Sequence, residues 1–432
     1  MKLPEAWTVM QPSAFDRSAA WHLLRRLQWG CTPAEIQDAV DAGLSAVVDR
    51  FLTLQPERED FERQQQMLWQ HALSSSRLDA LQAWWMYRLC YSSNPLQEKL
   101  TLMWHNHFAT SFEKVQRVDL MAQQNELLRR YAWAHFSDLL REIAQDPAML
   151  IWLDGALNRR RHPNENFARE VMELFTLGVG NYTEQDIQEA ARAFTGWQIR
   201  ERRFWFNQMQ HDPGSKTVFG QTGPWNGYDI LRLCEQHPAH AVFMAQRLCK
   251  TFVSDQPSAS MVHLTALAWQ RHQGHLAEVL RELFTSAEFF APEHRHALIT
   301  SPVEFVLSVW RPLGASLPLA EAVRWLAALG QELFMPPNVK GWPGGWAWVQ
   351  TSQWITRWNL ISHWLYGSQP LPLENSWLST LSSEELLAVW LGEERPDVLQ
   401  ALKTLTASAE SGRANVRQQL HLLWSLPEFQ RM

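Results

Sequence analysis

Leu96-Gln97-Glu98-Lys99-Leu100-Thr101-Leu102-Met103-Trp104-His105-Asn106-His107-Phe108 is the stretch on which the fold turns. Leu96, Leu100, Met103 and His107 recur at i, i+4, i+7 and i+11, which is one stripe of an α-helix. His107 therefore sits among apolar neighbours. His105, two positions earlier, lies about 200° round the same helix, so the two imidazoles meet at one metal only where the helix unwinds. Glu98 and His105, seven apart, share another stripe. Two readings stay open here: a hydrogen-bonded core His107 with His105 paired to a carboxylate, or a pair of metal ligands.

The same helical period extends outward in both directions. Residues 15–54 read as two helices around Gly30-Cys31-Thr32-Pro33, with Thr32 as N-cap and Pro33 at the first helical position. Residues 60–92 and 96–150 read as long helical segments broken by Asn94-Pro95. Residues 163–178 and 184–195 form a helix pair: Gly178 and Gly180 stop the first, and Thr183 caps the second with Asp186 three residues on. Residues 200–228 change character, with Phe204-Trp205-Phe206 followed by Gly214, Gly220, Gly223 and Gly227, and read as a small β-hairpin or ordered loop. Helices resume from 229 to about 333. Met335 to Gly345 cannot be helical, because prolines and glycines break it.

A helix around 350–366, a Pro-, Ser- and Leu-rich linker or long loop at 367–382, and a helical segment at 383–432 complete the chain. The expectation is a mainly α protein: a bundle-like, multi-helical single large domain over 1–366, with the hairpin or loop inserted at 200–228. A C-terminal helical extension packs on it. Leu280–Phe290 and Leu420–Gln430 echo each other, as a shared way of stopping a helix or as a duplicated unit.

Composition bounds the function. With 432 residues, 46% hydrophobic and 19% charged, the chain has ample material for a core and none of the bias of a disordered one. A net charge of -6 argues against a general nucleic-acid binder; Arg159-Arg160-Arg161-His162 and Arg200 to Arg203 are too short to reverse that. The 24 tryptophans could stack on sugars, but Trp84, Trp85, Trp104 and Trp152 lie inside amphipathic segments, as fillers between helices do. Cys31, Cys90, Cys234 and Cys249 are too scattered for a zinc framework or a disulfide scaffold. The opening residues lack the apolar run of a signal peptide and no stretch reaches a membrane span, so the reading is cytoplasmic, with export alongside a partner left open.

The polar candidates fall in four places. On the 163–178 helix, Phe167, Val171, Leu174 and Gly178 mark the buried face, with Asn166, Arg169, Glu170 and Glu173 opposite. Those charges read either as an i,i+4 surface ladder (Glu165–Arg169, Arg169–Glu173) or as carboxylates lining a cleft, for a metal or for acid–base work. Glu170-x-x-Glu173 departs from the Glu-x-x-His of carboxylate-bridged metal bundles. His211, Asp212 and Lys216 sit in a Gly-rich loop, as a site or as a plain Asp-Pro turn. Asn338, Lys340 and Trp342 sit in the rigid Pro-Gly segment, shaping a pocket or anchoring a corner. No Gly-x-Ser-x-Gly, phosphate loop, dinucleotide fingerprint or His-Glu-x-x-His is present.

Trp104-His105-Asn106-His107-Phe108, Pro163 to Gly178, His211-Asp212 with Gly214 and Lys216, and Pro336 to Gly345 together resemble the bacterial domain of unknown function 1800 family. The likeness runs from His22-Leu23-Leu24-Arg25-Arg26 to about residue 366. It implies no particular reaction. It does imply relatives encoded beside exported sulfatase-like proteins, some carrying export signals from which this chain departs.

Two functions remain. In the first, an enzyme acts by hydrolysis or transfer on a polar substrate in an inter-helical cleft. His105, His107, Glu170 and Glu173 would hold a divalent metal there. His105, Glu170, Glu173, His211, Asp212 and Lys216 would do the chemistry, and Arg169, Asn338, Lys340 and Trp342 would hold substrate. In the second, the protein is a non-catalytic scaffold or maturation partner of a sulfatase-like neighbour. A Trp-rich carbohydrate binder is a weaker third.

Overall fold

Asn94 and Pro95 open a helix, Pro95–His107, in which every residue but Gln97 and Asn106 is buried. A helix enclosed on all sides normally carries only apolar residues; this one also buries Glu98, Lys99, His105 and His107. Its apolar residues divide between two clusters. Leu96, Leu100, Met103 and Trp104 join the first, with Phe136, Phe167 and Phe252. Leu102 joins the second, with Trp84, Trp85, Phe334 and Trp364. Arg17–Leu27, Leu78–Tyr91 and Val118–Arg130 pack directly on this rod, and the whole is a mainly α single large domain, as expected. The computed structural model describes residues 4–373, 376–393, 395–408 and 412–432.

Local signals place the helix ends. Thr32 and Thr183 each close a capping box, with Glu35 and Asp186. The long helical stretches are more broken than periodicity suggested. Residues 15–54 hold three helices, Arg17–Leu27, Pro33–Ala42 and Leu44–Phe51, because Gly43 takes φ +81° between the last two. Residues 60–92 split into Glu59–Ser75 and Leu78–Tyr91 at Ser76, which is left-handed. Residues 96–150 divide into five helices; Gln116 turns left-handed after Phe112–Val115, and Asp146 caps Pro147–Trp152.

The insertion is two hairpins, and it begins earlier than expected. Strand β1 (Trp197–Arg200) pairs antiparallel with β2 (Arg203–Phe206), and β3 (Lys216–Val218) with β4 (Gln221–Gly223). Positive φ at Glu201-Arg202 and at Phe219-Gly220 gives both two-residue turns the twist a hairpin needs. The Gly227–Gln236 helix follows directly.

Within the expected linker at 367–382, residues 374–375 lie outside the described residues. Trp377 opens a short 3-10 turn and donates its indole N–H to the Pro312 carbonyl at 2.9 Å. The C-terminal segment packs on the first helix, where Trp21 Nε1 donates to the Val389 carbonyl (2.8 Å), and on the Thr351–Tyr366 helix, whose Arg357 reaches Gln430 Oε1 (2.9 Å) and the Thr300 carbonyl (2.6 Å). No helix among the described residues is long and apolar enough to cross a membrane.

The central helix is tied in by charge. Glu98, fully buried, accepts from Arg129 Nε (2.7 Å) and Nη2 (2.9 Å), from Arg88 Nε (3.0 Å) and from Trp85 Nε1 (3.2 Å). Burial pushes its carboxyl up, but Arg129 and Arg88 overcome this and hold it at about 2. Removing one partner from such a cluster strands the others. Glu98→Gln is therefore expected to destabilise the protein by about 3–5 kcal/mol, read as a lower urea midpoint at unchanged m-value; a midpoint equal to wild type would show that the cluster is not holding the helix.

Candidate functional site

The two histidines of the central helix leave it on different sides. The His105 ring meets Trp85, Phe334 and Trp342 at 5.3, 5.5 and 5.6 Å between centroids, and its Nε2 has no partner. Among the described residues it pairs with no carboxylate, contrary to one of the readings above, because Glu98 is taken by the two arginines. Burial alone lowers its pKa to about 3. His107 points into the first cluster, and its Nε2–H donates to the Phe175 carbonyl at 3.1 Å. That bond leaves Nδ1 bare and without a partner.

Phe175 lies in an unexpected element. The helix that begins at Glu165–Glu170 continues as a π-helix, Val171–Thr176. Leu177 N–H bonds the Met172 carbonyl (2.9 Å), five residues back, and Thr176 Oγ1 bonds the Val171 carbonyl (2.6 Å). The wider turn leaves carbonyls at its end, and buried imidazoles fill them: His107 on Phe175, and His240 Nδ1 on Thr176 at 3.0 Å. It also moves the buried face onto Met172, Phe175 and Thr176, so that Leu174 and Gly178, expected inside, are only partly covered.

The polar side of this helix is rearranged accordingly. Arg169 bonds Glu165 at 3.2 Å and grips Glu184 with two bonds, 2.8 and 2.7 Å, rather than pairing with Glu173. Glu173 Oε2 instead accepts from the Tyr182 hydroxyl at 2.6 Å. Glu170, half-buried, has no hydrogen bond among the described residues. Burial and then the Glu173 charge push its carboxyl up, against the pull of Arg169 and Lys340.

Lys340 arrives on the Met335–Gly345 segment, which is non-helical as expected up to Gly344, and Gly345 opens a 3-10 turn to Val349. Asn338 Oδ1 accepts from Lys340 N–H (2.8 Å), fixing the turn, and Val339 packs on the first cluster. The segment is docked on the central helix through Asn106, whose Oδ1 accepts from Trp342 N–H at 2.7 Å. Gly341 is required there: its φ is +82°, and a Cβ would stand 2.1 Å from Asn106 Oδ1. Trp342 is buried as an anchor against His105, while Asn338 and Lys340 are exposed.

The His-Asp-Lys loop forms its own closed set. His211 Nδ1–H donates to the Thr195 carbonyl (2.9 Å), and Asp212 accepts from Arg192 Nε (2.9 Å) and Gly214 N–H (2.8 Å). Buried Lys216 donates to the carbonyls of Asp212 (2.7 Å) and Gly214 (2.9 Å). No bond or ring contact among the described residues joins this set to Glu170, Glu173, His105 or His107. Three of the four motifs therefore meet: the central helix, the glutamate turn and the Pro-Gly segment. The expected convergence of all four is not found. Nor do His105, His107, Glu170 and Glu173 gather round one point, and among the described residues no group of three or more His, Cys, Asp or Glu could hold a metal ion.

A family described as Protein of unknown function (DUF1800) matches residues 22–431. The chain belongs to this family. The match runs past residue 366, where the resemblance was expected to fade, and takes in the C-terminal helices of the DUF1800 unit. No curated protein and no solved structure matches the chain.

Sequence reading passed over Asn106, Tyr182 and Lys99. Asn106 was inside a quoted motif, but its partner is 236 residues away. Lys99, buried, donates to the Arg25 carbonyl (3.1 Å) and Glu304 Oε1 (3.3 Å) and stands 4.7 Å from the Trp29 ring centroid. Burial lowers its pKa to about 8 against the opposing pull of Glu304. Only the Ser301-Pro302-x-Glu304 capping box was visible locally.

Two outcomes follow. Gly341→Ala should cost roughly 1–3 kcal/mol through its left-handed backbone and expose the 335–345 segment to proteolysis; wild-type resistance would show that the docking is dispensable. The second concerns acid. His22, His105, His107 and His240 are buried with lowered pKa values, about 3 for His105 and about 4 for His240. Unfolded, each titrates near ~6.5, so the unfolded chain binds more protons below that pH. Their contribution is complete above pH ~6.5 and is lost as pH falls. Asp146 and Glu235, raised to about 7 by burial, act in the opposite sense over the same window. His296, lowered to about 4, adds to the imidazoles, and Glu170 and Asp255, raised by burial, add to the carboxyls; the imidazoles prevail, so the urea midpoint should drop between pH 7 and about 4.5, and a flat or rising midpoint would refute the neutral buried histidines.

Proposed function

We propose that the protein is an acid–base enzyme acting on a polar substrate by hydrolysis or group transfer, where the glutamate turn faces the Pro-Gly segment. One observation carries the reading: two carboxyls one turn apart have different surroundings. Glu170 is half-buried, unbonded among the described residues and raised in pKa. Glu173 is oriented by the Tyr182 hydroxyl. Carboxyl pairs whose environments differ in this way divide the acid and base roles. Glu170 is the proton donor and Glu173 the base. Lys340, exposed beside them, supplies a positive charge for an anion developing on the substrate. Arg169 positions the turn through Glu165 and Glu184 and is a positioning residue.

The test is turnover of a panel of chromogenic esters, phosphate esters and glycosides by wild type and by Glu170→Gln and Glu173→Gln. A missing acid or base typically costs 10²–10⁴-fold, and each variant should lose that much with its unfolding midpoint retained. The wild-type rate should also fall as pH rises through a pKa above the ordinary glutamate range, because Glu170 acts protonated, and Glu170→Gln should lack that limb. Wild-type rates in both variants, or no turnover of any class by wild type, would overturn the proposal.

A further inference from the structure

Arg247 and Lys250 stand one turn apart on the Pro238–Phe252 helix, and both line a cavity of about 350 Å³. The other walls are the central helix, through Lys99 and Asn106, and the Trp342–Trp348 segment. The size suits a small molecule rather than a chain.

Donors exceed acceptors in this space. Neither the Arg247 nor the Lys250 side chain has a hydrogen bond or ion pair among the described residues. Burial lowers the Arg247 pKa with nothing to oppose it. Trp29, 2% exposed, lines the same cavity, with the Lys99 ammonium 4.7 Å from its ring centroid. Behind the wall, Arg26 is fully buried; it donates to the Phe252 and His294 carbonyls at 2.9 Å each, and its Nη1 has no partner.

Two carboxylates share the space, and both are partly engaged. Glu304 takes Lys99 at 3.3 Å and Ser301 N–H at 2.9 Å; Asp255 takes Ile299 N–H at 2.9 Å. Three cations (Lys99, Arg247, Lys250) thus line the space with two anions, and Arg26 adds a fourth positive charge behind the wall. A partly buried guanidinium with no acceptor is costly and calls for a partner. At the rim Trp346 is 64% exposed, with the Arg431 guanidinium 5.6 Å from its ring centroid.

We propose that this cavity binds a small anion, a carboxylate or phosphate ester bearing a flat ring, with its charged end on Arg247 and Lys250 and its ring against Trp346. The site uses none of the residues assigned to acid–base chemistry, and binding is read without turnover, so either proposal can fail alone.

Isothermal titration of the full chain with benzoate, phenyl phosphate, orthophosphate and neutral benzamide tests it. Phenyl phosphate or benzoate should bind with a Kd below about 1 mM, and benzamide at least about tenfold more weakly; the stronger of the two anions identifies the head group. Lys250→Gln and Arg247→Gln should each weaken that anion about tenfold. Trp346→Ala should weaken the ring-bearing probe and leave orthophosphate unchanged. Lys250 is exposed, so its variant remains folded even if Arg247→Gln does not. No binding of either ring-bearing anion at millimolar concentration, or equal affinity in Lys250→Gln, overturns the proposal.

Discussion

Four ionisable side chains carried into the interior by one helix set the terms for the rest of the molecule. Leaving a charge or imidazole buried without a partner is costly, so the neighbours that meet Glu98, Lys99 and His107 must arrive with the right group at the right height, while His105 is enclosed by aromatic rings. Glu98 demands the arginines of Leu78–Tyr91 and Val118–Arg130. Lys99, next along the helix and about 100° round it, demands Glu304 and the Arg25 carbonyl. His107 demands a carbonyl from the glutamate turn. An apolar rod of the same shape would fit many neighbours in many registers. This one accepts few, which is the best-attested use of buried polar groups.

The glutamate turn shows how that demand shapes a candidate site. An α-helix running on from Glu170 would keep the Phe175 and Thr176 carbonyls in its own ladder. The π-turn releases them to His107 and His240, at the cost of wider geometry. The same extra residue per turn takes Glu173 away from Arg169 and towards Tyr182. The different surroundings of Glu170 and Glu173 therefore follow from how two histidines are satisfied in the core. π-turns are frequent at functional sites for this reason: a local irregularity re-aims side chains that regular geometry would leave paired.

What was legible in the sequence was what neighbours along the chain decide. Thr32 and Thr183 cap helices because the groups they satisfy lie within one turn. Met335 to Gly345 is irregular because its own prolines and glycines forbid anything else. What escaped depends on distant partners. A 3.6-residue period assigned Leu174 to the interior, and no local signal marks the π-turn, because its cause lies on two other helices. His105 was expected to find a carboxylate; Glu98 was the right residue type on the right stripe, but arginines from elsewhere claimed it. His211, Asp212 and Lys216 looked like a site by residue type, yet their partners include Arg192 at the end of the helix before and Thr195 in the turn that follows it, and together they clasp a loop. Charged residues next to glycines do not reveal whether the backbone has already used them.

The Pro-Gly segment explains why two separate proposals share one border. It is held at its centre, where Asn106 takes the Trp342 N–H and leaves no room for a side chain at position 341. From that fixed point its two halves diverge. The earlier half places Lys340 beside Glu170. The later half lays Trp342, Trp346 and Trp348 along the cavity that Arg247 and Lys250 line from the other side. Asn106 belongs to the central helix, one residue from each buried histidine. Any shift of that helix, through Glu98 or Lys99, would therefore be felt at once on both sides of the segment. The buried charges thus fix the register of the fold and also the distance between the carboxyl pair and the electropositive cavity.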